Sequence, residues 1–326
     1  MLDNKLALIS IVLPVYCEAE NIGALLADIT EKIAGLGIGY EFVLVDDGST
    51  DSTWAEVERL QTEYPELRGA RLSRNFGKDL ALCAGLEMAR GDAVIVMDAD
   101  GQHPPTLLPE MIKLWRDTDV EIVEGVKSSR GSETIFSKLS AGVFYALWNK
   151  LSGFELRGAS DYKLLDRQAV DAYLRMNERH VFFRGMTAWL GFKKAQLPFE
   201  VAERQGGSSG WSLLKRIRLA VDGISGFSSM PLQLVTLAGL AFLGFSMVFG
   251  IYTLVMQLSG HSVSGFATVI LLLLFIGSLL MISLGIIGIY VARIYEEIKH
   301  RPRFVIAEMI GEETTTPHRA AANTTK

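Results

Sequence analysis

Asp98-Ala99-Asp100 sets two carboxylates one residue apart just after an apolar run. Hard oxygens at a strand end can bridge a divalent cation to a diphosphate, and Mg²⁺ commonly takes one or two carboxylates with phosphates and water completing its shell. An Asp-x-Asp also occurs in ordinary turns, so its place after a strand and the company of Asp46-Asp47 carry the reading. Gly48, Ser49 and Asp51 are accounted for by a tight turn and a helix cap. Two adjacent carboxylates are not, because their repulsion must be offset by donors, which a nucleotide base or ribose would supply. No G-x-G-x-x-G follows the first strand and no G-x-x-x-x-G-K-[ST] loop occurs, which weakens dehydrogenase and P-loop readings. A diphosphate would instead be held by the metal and by cations such as Lys127 and Arg204.

The elements that must position these groups are short β-rich runs alternating with helical segments, the pattern of helices around a mainly parallel sheet. Strands are expected near Leu8–Leu13, Glu41–Val45, Arg68–Leu72, Ala93–Met97 and Glu121–Val123. Helices are expected near Asn21–Ala34, Ser52–Tyr64, Asp79–Ala89 and Thr106–Trp115. Tyr16 and Glu18 then follow the first strand, Asp46 and Asp47 the second, Asn75 and Lys78 the third, Asp98 and Asp100 the fourth. In an open α/β sheet these strand ends share one edge, so the polar groups should meet in one cleft. Phe136–Leu151 is helix-like, and the part reaching Gln205 has no readable topology.

From Phe227 to Ala292 there is no Asp, Glu, Lys or Arg in a chain of 326 residues that is 49% hydrophobic. Pro231–Met256 and Phe266–Ala292 each exceed the roughly 20 apolar residues that cross a bilayer, and are read as two transmembrane helices. Lys215, Arg216 and Arg218 precede them and Arg293, Lys299, Arg301 and Arg303 follow, which places both ends in the cytoplasm. Residues 1–210 then form a cytoplasmic catalytic domain and 211–226 an amphipathic juxtamembrane helix on the membrane surface. Residues 227–292 form the spans with a short non-cytoplasmic loop, and 293–326 a basic segment with a disordered polar tail. Span glycines such as Gly239, Gly244, Gly277 and Gly285 leave close packing open, within one chain or as a homo-oligomer. Cys17 and Cys83 lack metal-site spacing and are read as ordinary thiols. The formal net charge of −5 argues against a nucleic-acid partner.

Pro14-Val15-Tyr16-Cys17-Glu18, Val45-Asp46-Asp47-Gly48-Ser49-Thr50-Asp51, Arg74-Asn75-Phe76-Gly77-Lys78 and Asp98-Ala99-Asp100-Gly101-Gln102, in that order and spacing, resemble family 2 glycosyltransferases. With two C-terminal spans the chain most resembles polyprenyl-phosphate (bactoprenol) glucosyltransferases, and more distantly dolichol-phosphate mannose synthase. The resemblance implies an α/β catalytic domain of GT-A type. Pro14, Tyr16, Glu18, Val45, Asp47 and Lys78 would line the nucleotide-sugar site, with Asp98 and Ala99 beside the diphosphate and Lys127 touching the donor. Asp98, Asp100 and Gln102 would hold Mg²⁺ or Mn²⁺. Arg204 opens the R-x-x-G-x-S segment, closing on Ser209 over donor and acceptor phosphates. Cys17 stands where Asn is common and Gly210 where many relatives carry Lys, for which Lys215 is the candidate substitute. Asp161 would act as base or acceptor-positioning group, in a catalytic set with Asp100 and Arg204; a structural cap on Tyr162–Leu165 is its bland alternative.

The implied reaction is inverting transfer of glucose from UDP-glucose to undecaprenyl or another polyprenyl phosphate, in a bacterial inner membrane. Mannose, N-acetylglucosamine and an aminoarabinose derivative stay open as the sugar. A non-catalytic nucleotide-sugar-binding membrane protein is the rival reading, and it would not need the whole set of Asp98, Asp100, Lys78, Arg204 and Asp161.

Overall fold

A computed structural model describes residues 7–127, 160–176, 178–179, 181–200, 230–260 and 265–311. The chain divides into two compact units, one holding a sheet and its flanking helices and the other two long apolar helices.

The first unit is built on an eight-stranded sheet of order β7-β5-β6-β4-β1-β2-β3-β8. Its strands are β1 Leu8–Val15, β2 Gly39–Asp46, β3 Leu67–Leu72, β4 Ala93–Val96, β5 Ile122–Lys127, β6 Lys163–Asp166, β7 Lys194–Phe199 and β8 Ile306–Ile310. The central strands read as nearly continuous apolar runs because helices cover both faces; Ile9, Ile11, Val12 and Leu13 of β1 are all fully buried. β1 pairs in parallel with β2 and β4, and β2 with β3. The carboxyl ends of these four strands, at Val15, Asp46, Leu72 and Val96, therefore share one edge. β6 runs antiparallel between β4 and β5, with Val96 opposite Lys163. Its amino end thus falls on that same edge and delivers Asp161 there. β8 runs antiparallel on β3.

The helices are α1 Ile22–Ile33, α2 Thr53–Glu63, α3 Lys78–Met88, α4 Leu108–Asp117, α5 Arg167–Leu174 and α6 Phe183–Trp189. α1 buries Ile22, Leu25, Leu26, Ile29 and Ile33, an i, i+3, i+4, i+7 stripe facing the core. α3 is buried on most sides and lies close to β1, since a Cβ on Gly85 would meet Val12 Cγ1 at 2.3 Å. That approach brings the first residue of α3, Lys78, to the sheet edge.

All five expected strands and all four expected helices are present, with ends shifted by a few residues. β2 runs one residue further than expected, so Asp46 is a strand residue rather than a loop residue. The region without readable topology contains β6, α5, α6 and β7. The chain after the second apolar helix, read as a basic segment leading into a polar tail, contributes β8 to the sheet before that tail begins. Phe136–Leu151, the juxtamembrane segment 211–226 and the polar tail from 312 lie outside the described residues.

In the second unit α7 spans Met230–Leu258 and α8 spans Phe266–Ile298. Each contains a stretch long and apolar enough to cross a membrane, Met230–Met256 and Leu272–Ile298, with no part of it buried. Phe242 of α7 and Phe275 of α8 stand 5.6 Å apart between ring centroids.

Candidate active site

The shared strand edge opens into a cavity of ≈ 360 Å³ lined by Pro14, Tyr16, Glu18, Asp47, Asn75, Lys78, Asp98, Ala99 and Asp100, with Val15 and Gly77. Residues from the ends of β1, β2, β3 and β4 meet there, as their spacing in sequence implied. Val45 stands outside the lining; it is fully buried in β2, with Cγ2 facing Gly85 of α3.

One wall is knitted from three loops. Asp46 is fully buried and its Oδ1 accepts Ser49 N–H at 2.9 Å, while Ser49 Oγ accepts Cys17 N–H at 2.9 Å. Asp47 accepts Phe76 N–H at 2.7 Å and Gly77 N–H at 2.9 Å. The donors that offset the two carboxylates are thus supplied by the chain itself rather than awaiting a nucleotide. Burial pushes the Asp47 carboxyl up and these two amides pull it down, with the net shift upward. Gly48 sits at φ +68 where a Cβ would lie 2.4 Å from the Arg74 carbonyl carbon, so only glycine lets these loops close on each other. Tyr16 is 46% exposed at this wall, an aromatic face open to a planar ring.

The opposite end is cationic and carboxylate-rich. Lys78 Nζ lies 2.6 Å from Asp98 Oδ1, 2.8 Å from Asp98 Oδ2 and 2.6 Å from Asp161 Oδ2. Burial works to lower the Lys78 ammonium, but Asp98 and Asp161 outweigh it and raise its pKa, so it stays charged. Arg184 of α6 grips Asp161 with a fork, Nε to Oδ1 at 2.7 Å and Nη2 to Oδ2 at 2.9 Å. Burial alone would raise the Asp161 carboxyl, yet hydrogen bonds and charge from Arg184, then Lys78, hold it well below the usual carboxylate range. Asp161 is therefore a permanently ionised anchor for two cations. It caps no helix, since Lys163–Asp166 is a strand.

Asp100 and Gln102 are tied together, Gln102 N and Nε2 donating to Asp100 Oδ1 and Oδ2 at 3.1 and 3.0 Å. Lys127, at the end of β5, reaches Gln102 Oε1 at 3.5 Å; burial, then Arg184, lower its ammonium. Arg204, Ser209 and Lys215 lie outside the described residues.

Two residues that the sequence did not single out support this end. Arg184 is one, a lone cation in the apolar run Val181-Phe182-Phe183-Arg184. His103 is the other, 3% exposed, its Nδ1 accepting Asp98 N–H at 2.9 Å and its ring stacked on Tyr162 at 4.9 Å. Burial lowers its pKa, which keeps the ring neutral and Nδ1 an acceptor. Its place three residues after Asp100 was the only signal.

For a divalent ion the donor set fits. Asp98 Oδ1 is a buried carboxylate oxygen whose one described partner is the Lys78 ammonium, 2.6 Å away, and Asp100 stands beside it on the same edge. Among the described residues no three His, Cys, Asp or Glu are grouped for a metal, so two carboxylates would have to be joined by substrate oxygens and water.

Residues 10–177 match the family profile described as Glycosyl transferase family 2. A putative glycosyltransferase, CsbB of Bacillus subtilis, is 37% identical over 93% of this chain and 92% of its own length. The bactoprenol glucosyl transferase of Shigella phage SfV is 33% identical over 91% and 97%. Among solved structures, glucosyl-3-phosphoglycerate synthase from Mycobacterium tuberculosis with Mn²⁺, uridine diphosphate and phosphoglyceric acid aligns at TM-score 0.47 and 20% identity, covering 67% of this chain and 76% of that one.

Proposed function

This chain belongs to glycosyl transferase family 2 and is a glycosyltransferase, and from that premise we propose that it moves glucose from UDP-glucose to a polyprenyl phosphate, with inversion. The observation that carries the reading is the strand-edge cavity with Tyr16 and Asp47 at one end and Asp98, Asp100 and Lys78 at the other, next to Asp161 and Arg184. The first end suits a nucleoside, the middle a diphosphate and the cationic end an incoming phosphate. The bactoprenol relative supports the lipid acceptor.

Asp98 and Asp100, with Gln102 once its amide turns, would hold a Mg²⁺ or Mn²⁺. Bound there, the ion would neutralise the diphosphate as it leaves. The rest falls to the chain. A phosphate monoester has its second pKa near 6, so a lipid phosphate at neutral pH already carries its nucleophilic oxygen unprotonated. Asp161, held ionised and weakly basic, need not take a proton; it orients Lys78 and Arg184 instead. Those two cations would align the acceptor so that its oxygen bonds the anomeric carbon on the face opposite the departing diphosphate oxygen. An α-linked donor then gives a β-linked sugar phosphate. Lys127, Arg204, Ser209 and Lys215 are assigned to the donor and acceptor phosphates by the family resemblance. A product of retained configuration refutes the mechanism.

The basic residues Lys215, Arg216 and Arg218 before the apolar helices and Arg293, Lys299, Arg301 and Arg303 after them support placing both flanks on the cytoplasmic side of a bacterial inner membrane. An oligomer through the glycine-bearing helices is part of this proposal.

The test is transfer of radiolabelled sugar from a panel of nucleotide sugars into the organic-extractable lipid fraction, with purified protein, polyprenyl phosphate and Mg²⁺ or Mn²⁺. Label from UDP-glucose is expected. Label from another donor, such as a mannose or N-acetylglucosamine nucleotide, replaces the sugar; no lipid label from any donor refutes the acceptor assignment.

A further inference from the structure

β8 is formed by chain that follows both apolar helices, yet it lies in register beside the donor wall, with Glu308 opposite Arg71 of β3. Glu308 is doubly engaged: Oε1 accepts Arg71 Nη1–H at 3.0 Å and Oε2 accepts Trp54 Nε1–H at 3.2 Å. Arg71 in turn points at the loop behind the cavity, with Nε 3.5 Å from Asp46 Oδ2 and Nη2 3.5 Å from the Ser49 carbonyl. Asp46 is fully buried and its Oδ2 accepts no hydrogen bond, so the Arg71 guanidinium is the charge that compensates it. From Asp46 the contacts run through Ser49 to Cys17, between the cavity residues Tyr16 and Glu18, and along the backbone to Asp47.

We infer that Glu308 is a positioning residue for the donor nucleotide, acting through Arg71 on the 46–49 turn, so that the strand following the membrane segment is part of the donor site. The inference rests on the reading of this cavity as the nucleotide-sugar pocket. The physical reason is one of pre-organisation. Arg71 is a long side chain, a third exposed, with much rotamer freedom to lose. Glu308 fixes it in the one orientation that neutralises Asp46. Released, it would leave a buried carboxylate uncompensated, which the turn would relieve by shifting away from the geometry the cavity needs.

The experiment uses the full chain purified in detergent and compares Glu308→Ala, Glu308→Gln and Arg71→Met with wild type. The readouts are UDP and GDP affinity by titration calorimetry, the KM values for donor and acceptor, and thermal unfolding. For Glu308→Ala the affinity for the preferred nucleotide should fall and donor KM rise by about tenfold, one charge-assisted hydrogen bond partly transmitted. Acceptor KM should stay unchanged. Glu308→Gln, which keeps the shape and one acceptor, should fall between. Arg71→Met placed on Glu308→Ala should add no further loss of affinity, because both act through one contact. A folded Glu308→Gln with wild-type donor affinity and donor KM overturns the inference, as does a loss confined to thermal stability. Wild-type protein that binds neither UDP nor GDP overturns the pocket reading beneath it.

Discussion

Replacing Arg184 by Met separates an anchor for the fold from a grip on the acceptor. The guanidinium makes two charge-assisted bonds to Asp161, at 2.7 and 2.9 Å. In the variant Oδ2 keeps Lys78 at 2.6 Å, while Oδ1 loses the donor described for it. A buried acceptor left unmade costs about 1–3 kcal/mol. The Arg184 side chain is 40% exposed, which trims the charge contribution, so a loss of about 1.5 kcal/mol is expected. A domain of about 5–15 kcal/mol stability stays folded after such a change. Loss of one preorganised cation from the transition state lowers kcat by roughly 10²–10³, far more than the small unfolded fraction could explain. Arg184→Lys keeps the charge without the fork and should fall between. The assay is sugar transfer to lipid with acceptor varied at saturating donor, run beside denaturant unfolding of the same preparations. A folded Arg184→Met whose acceptor KM and kcat stay within about twofold of wild type refutes the reasoning.

Chelation with EDTA should abolish transfer and added Mn²⁺ or Mg²⁺ restore it, while Asp98→Asn should resist rescue at any metal concentration; full activity in EDTA sinks the donor-set argument. Cys17 sits at φ +56, a conformation that Asn tolerates better than most side chains. Cys17→Asn should therefore raise stability by about 0.5 kcal/mol, seen as a higher unfolding midpoint, and a lower midpoint counts against this. Asp79 is raised above its ordinary 3.8, by burial first, with Phe183 N–H opposing and Asp161 adding to it. The folded state then binds that proton more readily than the unfolded one, so the ionised group costs stability progressively as pH rises through and above 3.8. Asp79→Asn keeps an acceptor for Phe183 N–H and should be more stable than wild type at pH 7.5, with the gain vanishing below about pH 3.8; a gain independent of pH counts against the assignment.

Most of the cavity lining was legible because its residues sit directly after strands whose parallel order could be read from hydropathy. Asp47, Lys78, Asp98 and Asp100 needed only that order to converge. The family resemblance picked Asp47 over Asp46, and the fold gives the reason: both are buried, but adjacent strand-end residues point to opposite faces and only Asp47 lines the cleft. Arg184 escaped notice because its partner is 23 residues away across a strand and a helix, and a single Arg among apolar residues has no period. β8 was invisible for a similar reason. Ile306-Ala307-Glu308-Met309-Ile310 is a weak strand by itself and becomes one only on the edge of β3. His103 gained its role from Tyr162, which β6 brings beneath it.

The pairing of β8 with β3 also sets a clock on biosynthesis. Arg71 and Glu308 are 237 residues apart, so at about 5–20 residues per second a ribosome needs roughly 10–50 s to make the second after the first. Throughout that interval both apolar helices emerge, and the β3 edge is a row of unpaired amides and carbonyls open to any passing strand. A charged residue in that edge, Arg71, discourages such pairing until its own partner arrives. The sheet that carries the strand-edge cavity therefore gains β8 only after both apolar helices have been made.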